Sequence, residues 1–465
     1  LPTYAEATPE AFLSILEADL KSENPGVFGL LKPASKGPFS HPSRTGVLWA
    51  LEGLCWNPIT VSRAVMILAQ LAQIEIDDNW VNKPIKSLSA VFRSWMPQTS
   101  ANLETRITLV KRILVKYPDI GWKLCIEQFN TRSQIGDYSH KPKWRTDGYG
   151  YGEPLQDKVE VKTFIDEMVS LALSREYYTI NMLIDLLDRF DSLNEHDREK
   201  IWSIIEKWAG AKATDAEKAQ LREKIRVTVF SRRALKHSSI SSGQEKLAKS
   251  AYDSLEPSDL LFKHSWLFKE RWVEPSTDEV DDVDNFDFEA RNEKVTRLRI
   301  SALSEIVEKM GDEGLLALSK TGNTAWDIGW LCAKFLMKRK ELIELLKLAF
   351  KQVLNERGEV RPLRSLISGA IFTLSKEPKG KPILKEVAAD ASDVELVELL
   401  LLAPFRKSTW IMVDALSLNA QKIYWERVEP SWIHECDEEN NEGTERLMVA
   451  KRPRAAFSCI QHHPE

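Results

Sequence analysis

The chain has 465 residues, with 64 basic and 69 acidic side chains and a formal net charge of −5. Hydrophobic residues make up 43% of it, enough to bury a sizeable core and to exclude wholesale disorder. Its 20 glycines are about 4% of the chain where ~7% is usual, which argues against Rossmann, β-propeller and other turn-rich folds.

Helical periodicity runs from end to end. Leu103, Ile107, Val110, Leu114 and Tyr117 recur at spacings of four and three, marking one face of a helix. Ser100 and Glu104 frame its start and Pro118 follows its end. A short helix then carries Ile120, Trp122, Leu124, Cys125 and Phe129. The stripe returns between Val161 and Phe190, and again from Asn194 to Trp208, where Glu195, Asp197 and Glu199 lie near the positive helix N-terminus. Arg226–Phe230 is the best strand candidate, yet it reads as the continuation of a helix. Val295–Met310 is a helix with a turn at Gly311 before Glu313–Leu318. Helices follow over 324–336, 341–354, 362–374, 382–388 and 394–402, with links of only a few residues. Short links make consecutive helices antiparallel neighbours.

One patch recurs. Asp119-Ile120-Gly121-Trp122 and Asp327-Ile328-Gly329-Trp330 each open a helix, with glycine allowing close helix approach and tryptophan filling the groove beside it. Three segments interrupt the helices: a glycine-, aromatic- and base-rich loop at 130–154, a Ser-rich basic stretch at 231–243, and 274–289 with eight acidic side chains and no basic one. Subdomain boundaries are expected near 150 and 285, where composition shifts.

Most chemical readings of the side chains fail on spacing. Trp122, Trp202, Trp208, Trp326 and Trp330 sit at helical spacing among aliphatics and read as core packing rather than base-stacking platforms. Asp282, Asp284 and Asp287 imitate a calcium loop, but no glycine provides the turn and Phe286 takes a ligand position. His434, Cys436, Cys459, His462 and His463 are zinc-ligand types at a spacing that fits no familiar finger. Glu160-Val161-Lys162 spells a nuclease triplet but runs straight into an amphipathic helix. Phosphate loops, dinucleotide fingerprints, nucleophile elbows and metalloprotease motifs are missing. Cys55, Cys125, Cys332, Cys436 and Cys459 are scattered and odd in number, which points to an intracellular, cytoplasmic protein. The longest apolar run, around Leu399–Phe405, falls well short of the ~18 residues that span a bilayer. Both termini read as cut, as if the chain were an internal piece of a larger protein.

Two stretches invite contact with a partner. Trp144 stands in a loop among Lys141, Lys143 and Arg145, close to Tyr149 and Tyr151, although a loop docked on its own helices is the plainer reading. Between Arg222 and Lys249 eight basic residues face Glu223 and Glu245, a local charge of +6 suited to phosphates or to a solvated helix face.

Several phrases are familiar: Leu48-Trp49-Ala50-Leu51-Glu52-Gly53-Leu54, Trp56-Asn57-Pro58 with Ser62-Arg63, and Asn79-Trp80 leading to Asn82-Lys83-Pro84. Trp95-Met96-Pro97-Gln98-Thr99, Tyr117-Pro118-Asp119-Ile120-Gly121-Trp122 and Arg452-Pro453-Arg454-Ala455-Ala456-Phe457 belong with them. Over most of its length the chain resembles the helical-repeat regions of large bacterial multidomain proteins that carry a sirtuin-like, nuclease or ATPase effector upstream. The resemblance implies a part in anti-phage defence, with the enzyme elsewhere and this piece sensing or scaffolding. It carries over no catalytic residue.

The expectation is therefore an all-α, helical-repeat (HEAT/TPR-like) α-solenoid with long loop insertions. It has an N-terminal subdomain at 1–150, a middle one at 151–285 ending in the acidic linker, and a C-terminal one at 286–465. No catalytic residue, cofactor or metal is expected, and the piece is not an enzyme. Its expected partner is a protein, either a phage protein or an effector domain of the same polypeptide, met by Trp144, Tyr149, Tyr151, Arg232 and Arg233. No membrane is involved. The alternative is a nucleic-acid-binding array using residues 222–249.

Overall fold

The computed structural model describes residues 1–32, 43–129, 135–211, 213–231, 234, 241–273, 287–355, 360–375, 380–389, 391–430 and 437–460. Among them every regular element is helical, so the fold is all-α. In chain order the α-helices are α1 (Pro2–Ala7), α2 (Pro9–Asp19), α3 (Gly26–Leu31), α4 (Arg44–Leu54), α5 (Val61–Leu71), α6 (Pro84–Val91), α7 (Leu103–Lys116) and α8 (Pro118–Glu127). Next come α9 (Lys158–Leu173), α10 (Ile180–Asp188), α11 (Glu195–Ala209), α12 (Asp215–Ile225), α13 (Ser242–Ser254), α14 (Leu260–Phe268) and α15 (Phe288–Ser319). The remainder are α16 (Ala325–Leu331), α17 (Arg339–Asn355), α18 (Arg361–Ser375), α19 (Gly380–Val387), α20 (Asp393–Leu400), α21 (Lys407–Asp414), α22 (Leu418–Arg427), α23 (Asp437–Val449) and α24 (Pro453–Ile460).

The chain divides into two units, Leu1–Lys212 with Ser238–Ser254, and Ala213–His237 with Leu255–Glu465. Position 150 lies inside the first of them, and the boundary expected near 285 falls outside the described residues.

In the first unit, consecutive helices pack in sequence, α4 on α5, α5 on α6, α7 on α8 and α8 on α9. The buried face of α7 is turned from the predicted one: Val110 and Tyr117 are buried as expected, Leu103, Ile107 and Leu114 are half-buried, and Leu109 and Ile113 lie inside instead. Each such aliphatic side chain contributes about 1.5–3 kcal/mol by leaving water. The cap of α7 is Asn102, whose side chain accepts from the Thr105 amide at 2.9 Å, while the Ser100 hydroxyl donates to the Trp56 carbonyl instead. The expected 161–190 stripe is two helices, with Asp157 capping α9 and Thr179 capping α10. Later in the chain, α13 packs on α11, and the Trp202 indole donates to Gln244 at 3.0 Å.

Arginines fasten the ends of several elements. Buried Arg44 forks onto Asp78 at 2.7 and 2.8 Å and donates to the carbonyls of Leu31 and Asn82. Arg63 forks onto Glu17 at 2.8 Å in both arms and reaches Glu10, tying α5 to α2. In the second unit Arg299 donates to the carbonyls of Leu267, Glu270 and Arg271 at the end of α14, and Arg452 to those of Trp425 and Val428 at the end of α22. A cation at a helix C-terminus satisfies carbonyls that the helix leaves open and complements its dipole.

In the second unit two helices approach closely. Gly329 of α16 and Gly369 of α18 form reciprocal notches: a Cβ on the first would lie 1.9 Å from the Leu366 carbonyl oxygen. A Cβ on the second would lie 2.0 Å from that of Trp326. The glycine of the other patch works differently, since a Cβ on Gly121 would meet Leu114 Cα of the preceding helix at 2.7 Å. The two patches thus share a device, not a partner. Gly311 breaks α15 at φ +64°, where the turn was expected, and Arg226–Phe230 continues α12 as one π-helical turn.

Candidate functional site

The loop after α8 is docked, and its backbone is held at many points. The Ser139 amide donates to Gln98 Oε1 at 3.0 Å, and the His140 amide donates to Glu52 at 2.8 Å. The His140 carbonyl accepts from the buried Trp56 indole at 2.8 Å. Farther on, the amides of Lys143, Trp144 and Arg145 converge on the Glu6 carboxylate of α1. Successive N–H groups aimed at one carboxylate form a small anion-binding nest. Lys141 donates to the Tyr151 carbonyl at 2.6 Å and stands 4.9 Å from the centre of the Trp56 ring. Gln98 Nε2 donates to the Gly152 carbonyl at 3.0 Å, and the Leu155 amide donates to the Trp95 carbonyl at 2.8 Å. Through its Oε1 and Nε2, buried Gln98 therefore clamps both ends of the loop.

Two glycines make this docking possible. A Cβ on Gly152, which has φ +86°, would fall 2.6 Å from the Trp56 ring, and one on Gly148 would fall 3.3 Å from it. The side chains expected to meet a partner point outward. Trp144 is 80% exposed and Tyr149 is 87% exposed, while Tyr151 is 48% exposed. The fixed backbone thus carries a row of exposed aromatic rings. Arg232 and Arg233 lie outside the described residues.

The groups beneath the loop are arranged for structure. Burial pushes the Glu52 carboxyl above the usual carboxylate range, and hydrogen bonds from the His140 amide and the Ser87 hydroxyl pull it part of the way back. The His140 ring stacks on Trp49 at 5.4 Å, and burial followed by the nearby Lys143 charge lowers its pKa. Glu52 therefore meets the backbone of His140, not its imidazole, and the two make no acid–base pair. The crevice between Trp49, His140, Glu6 and Arg145 has a volume of about 10 Å³, room for one water at most.

Where they are described, the residues of the other constellations hold structural roles. Glu160 pairs with Arg106 and Lys162 with Asp166, so the nuclease triplet points two ways along α9. Asp287 caps α15 through the amides of Glu289 and Ala290, while Asp282 and Asp284 lie outside the described residues. Cys459 is buried, and the remaining four residues of the zinc-like set also lie outside the described residues. Among the described residues no group of three His, Cys, Asp or Glu side chains is placed to hold a metal ion. Burial pushes the thiols of Cys125 and Cys332 up to about 12, which leaves them protonated and unreactive at neutral pH. In the basic stretch, buried Arg226 forks onto Glu223 at 2.7 Å in both arms and covers the Trp266 ring.

Sequence spacing located the loop and its aromatics but not Glu6, which lies 137 residues before Lys143. Glu52, Trp56 and Gln98 do occur in the familiar phrases quoted above, and their role is to anchor this loop. No family model, no curated protein and no solved structure matches the chain. No helix among the described residues is long and apolar enough to cross a membrane.

Proposed function

We propose that the chain is a non-catalytic protein-binding module, a sensor or scaffold of a larger bacterial defence protein working in the cytoplasm. In this reading its helices form a HEAT/TPR-like solenoid, and the 138–152 loop is its contact surface. The observation that carries the reading is the contrast between a fastened loop backbone and the exposed rings of Trp144 and Tyr149. Rigid aromatic anchors bury large areas at little entropic cost, which is why Tyr and Trp dominate binding hot spots. The resemblance to defence proteins makes a phage protein, or an effector domain of the same polypeptide, the partner to seek first. Nucleic acid, met by residues 222–249, is the second reading; within that stretch Arg226 is paired with Glu223.

The test is affinity capture from phage-infected lysate, with wild type beside a Trp144→Ala/Tyr149→Ala variant. The wild type is expected to retain a phage-encoded protein that the variant loses while melting at the same temperature. Equal retention by both rejects the loop as the contact surface, and none over uninfected lysate rejects a phage protein as the partner.

A further inference from the structure

A second concave feature of the first unit takes no part in the loop's aromatic face. Beside α6, the end of α8 and the end of α10 lies an open cleft of about 300 Å³, lined by Lys86, Ser89, Arg93, Glu127, Gln128 and Arg189 among others. That volume suits a small molecule. Three of these groups are cations and one is a carboxylate. Glu127 stands 3.8 Å from Lys86 Nζ, and neither Arg93 nor Arg189 has a carboxylate within ion-pair distance among the described residues. Arg93 donates Nη1 to the Asp137 carbonyl at 3.0 Å and lies against the backbone of Gly136.

A guanidinium fork matches an oxyanion with parallel N–H···O bonds. The cleft offers more donors than the two oxygens of a carboxylate engage, and a phosphate supplies three oxygens and more charge. We infer that this cleft binds a small phosphate-bearing molecule, its oxyanion received by the Arg189 guanidinium and its charge balanced by Lys86 and Arg93. The site is separate from the exposed rings and stands or falls without them.

Calorimetric titration of the full chain with inorganic phosphate, adenosine 5′-monophosphate and adenosine, at matched ionic strength, tests the inference. At least one of the two phosphate probes is expected to bind, and adenosine is not. Arg189→Gln is expected to weaken binding about tenfold, the equivalent of one charge-assisted hydrogen bond. Lys86→Gln removes an exposed side chain and is expected to weaken it by a smaller factor. Silence from both phosphate probes at millimolar concentration overturns the inference, as does binding that Arg189→Gln leaves unchanged. Should Arg189→Gln not fold, unchanged binding by Lys86→Gln overturns it instead.

Discussion

Glu52 of α4 meets the loop, 7% exposed, with its oxygens taken by the His140 amide and the Ser87 hydroxyl. Its carboxyl is raised first by burial, so the folded chain holds a proton there more tightly than the unfolded chain does. Stability from this group is therefore greatest below the unfolded value of about 4.5 and falls as pH rises through the folded value. Glutamine keeps an acceptor for the His140 amide and has no charge to bury. Denaturant unfolding across pH is expected to show wild type losing stability relative to Glu52→Gln as pH climbs above about 4.5. Parallel profiles would contradict that assignment. Residue roles of this kind were only partly legible in sequence. Of the five tryptophans placed in the core from helical spacing, Trp122 and Trp202 are buried, while Trp208, Trp326 and Trp330 are half-buried. The cap of α7 was not legible, because the choice between Ser100 and Asn102 is made by the Trp56 carbonyl, 44 residues away.

Helix existence followed from periodicity because a 3.6-residue stripe is a local property of the chain. Partner choice did not. Gly121 and Gly329 look alike in sequence, yet one fits the preceding helix and the other fits α18 across an intervening helix. The notch at Gly329 leaves no room for even one methyl group, and the atom in the way is backbone, which cannot swing aside. Gly329→Ala is expected to destabilise the second unit by about 3 kcal/mol, at the upper end of overpacking costs. Gly29 of α3 has nothing within 4 Å of its Cβ position, so Gly29→Ala is expected to stabilise by up to about 1 kcal/mol. Thermal unfolding of the two variants checks both signs, and similar melting temperatures would refute the packing argument.

At the scale of the molecule, the composition excluded a turn-rich fold and every described element is helical. What stayed hidden was long-range closure. The loop is fastened from its own side by Trp56, Gln98 and Glu52, and from the first helix by Glu6. No spacing rule connects residue 6 to residues 143–145. The proposed binding role depends on that closure, since a loose loop would lose the entropic advantage of presenting its rings ready to bind. Amide hydrogen exchange on the free protein measures it directly. Slow exchange is expected at Ser139, His140, Lys143, Trp144 and Arg145, with Glu6→Ala releasing only the last three. Exchange at all five amides as fast as in an unstructured peptide would contradict the account.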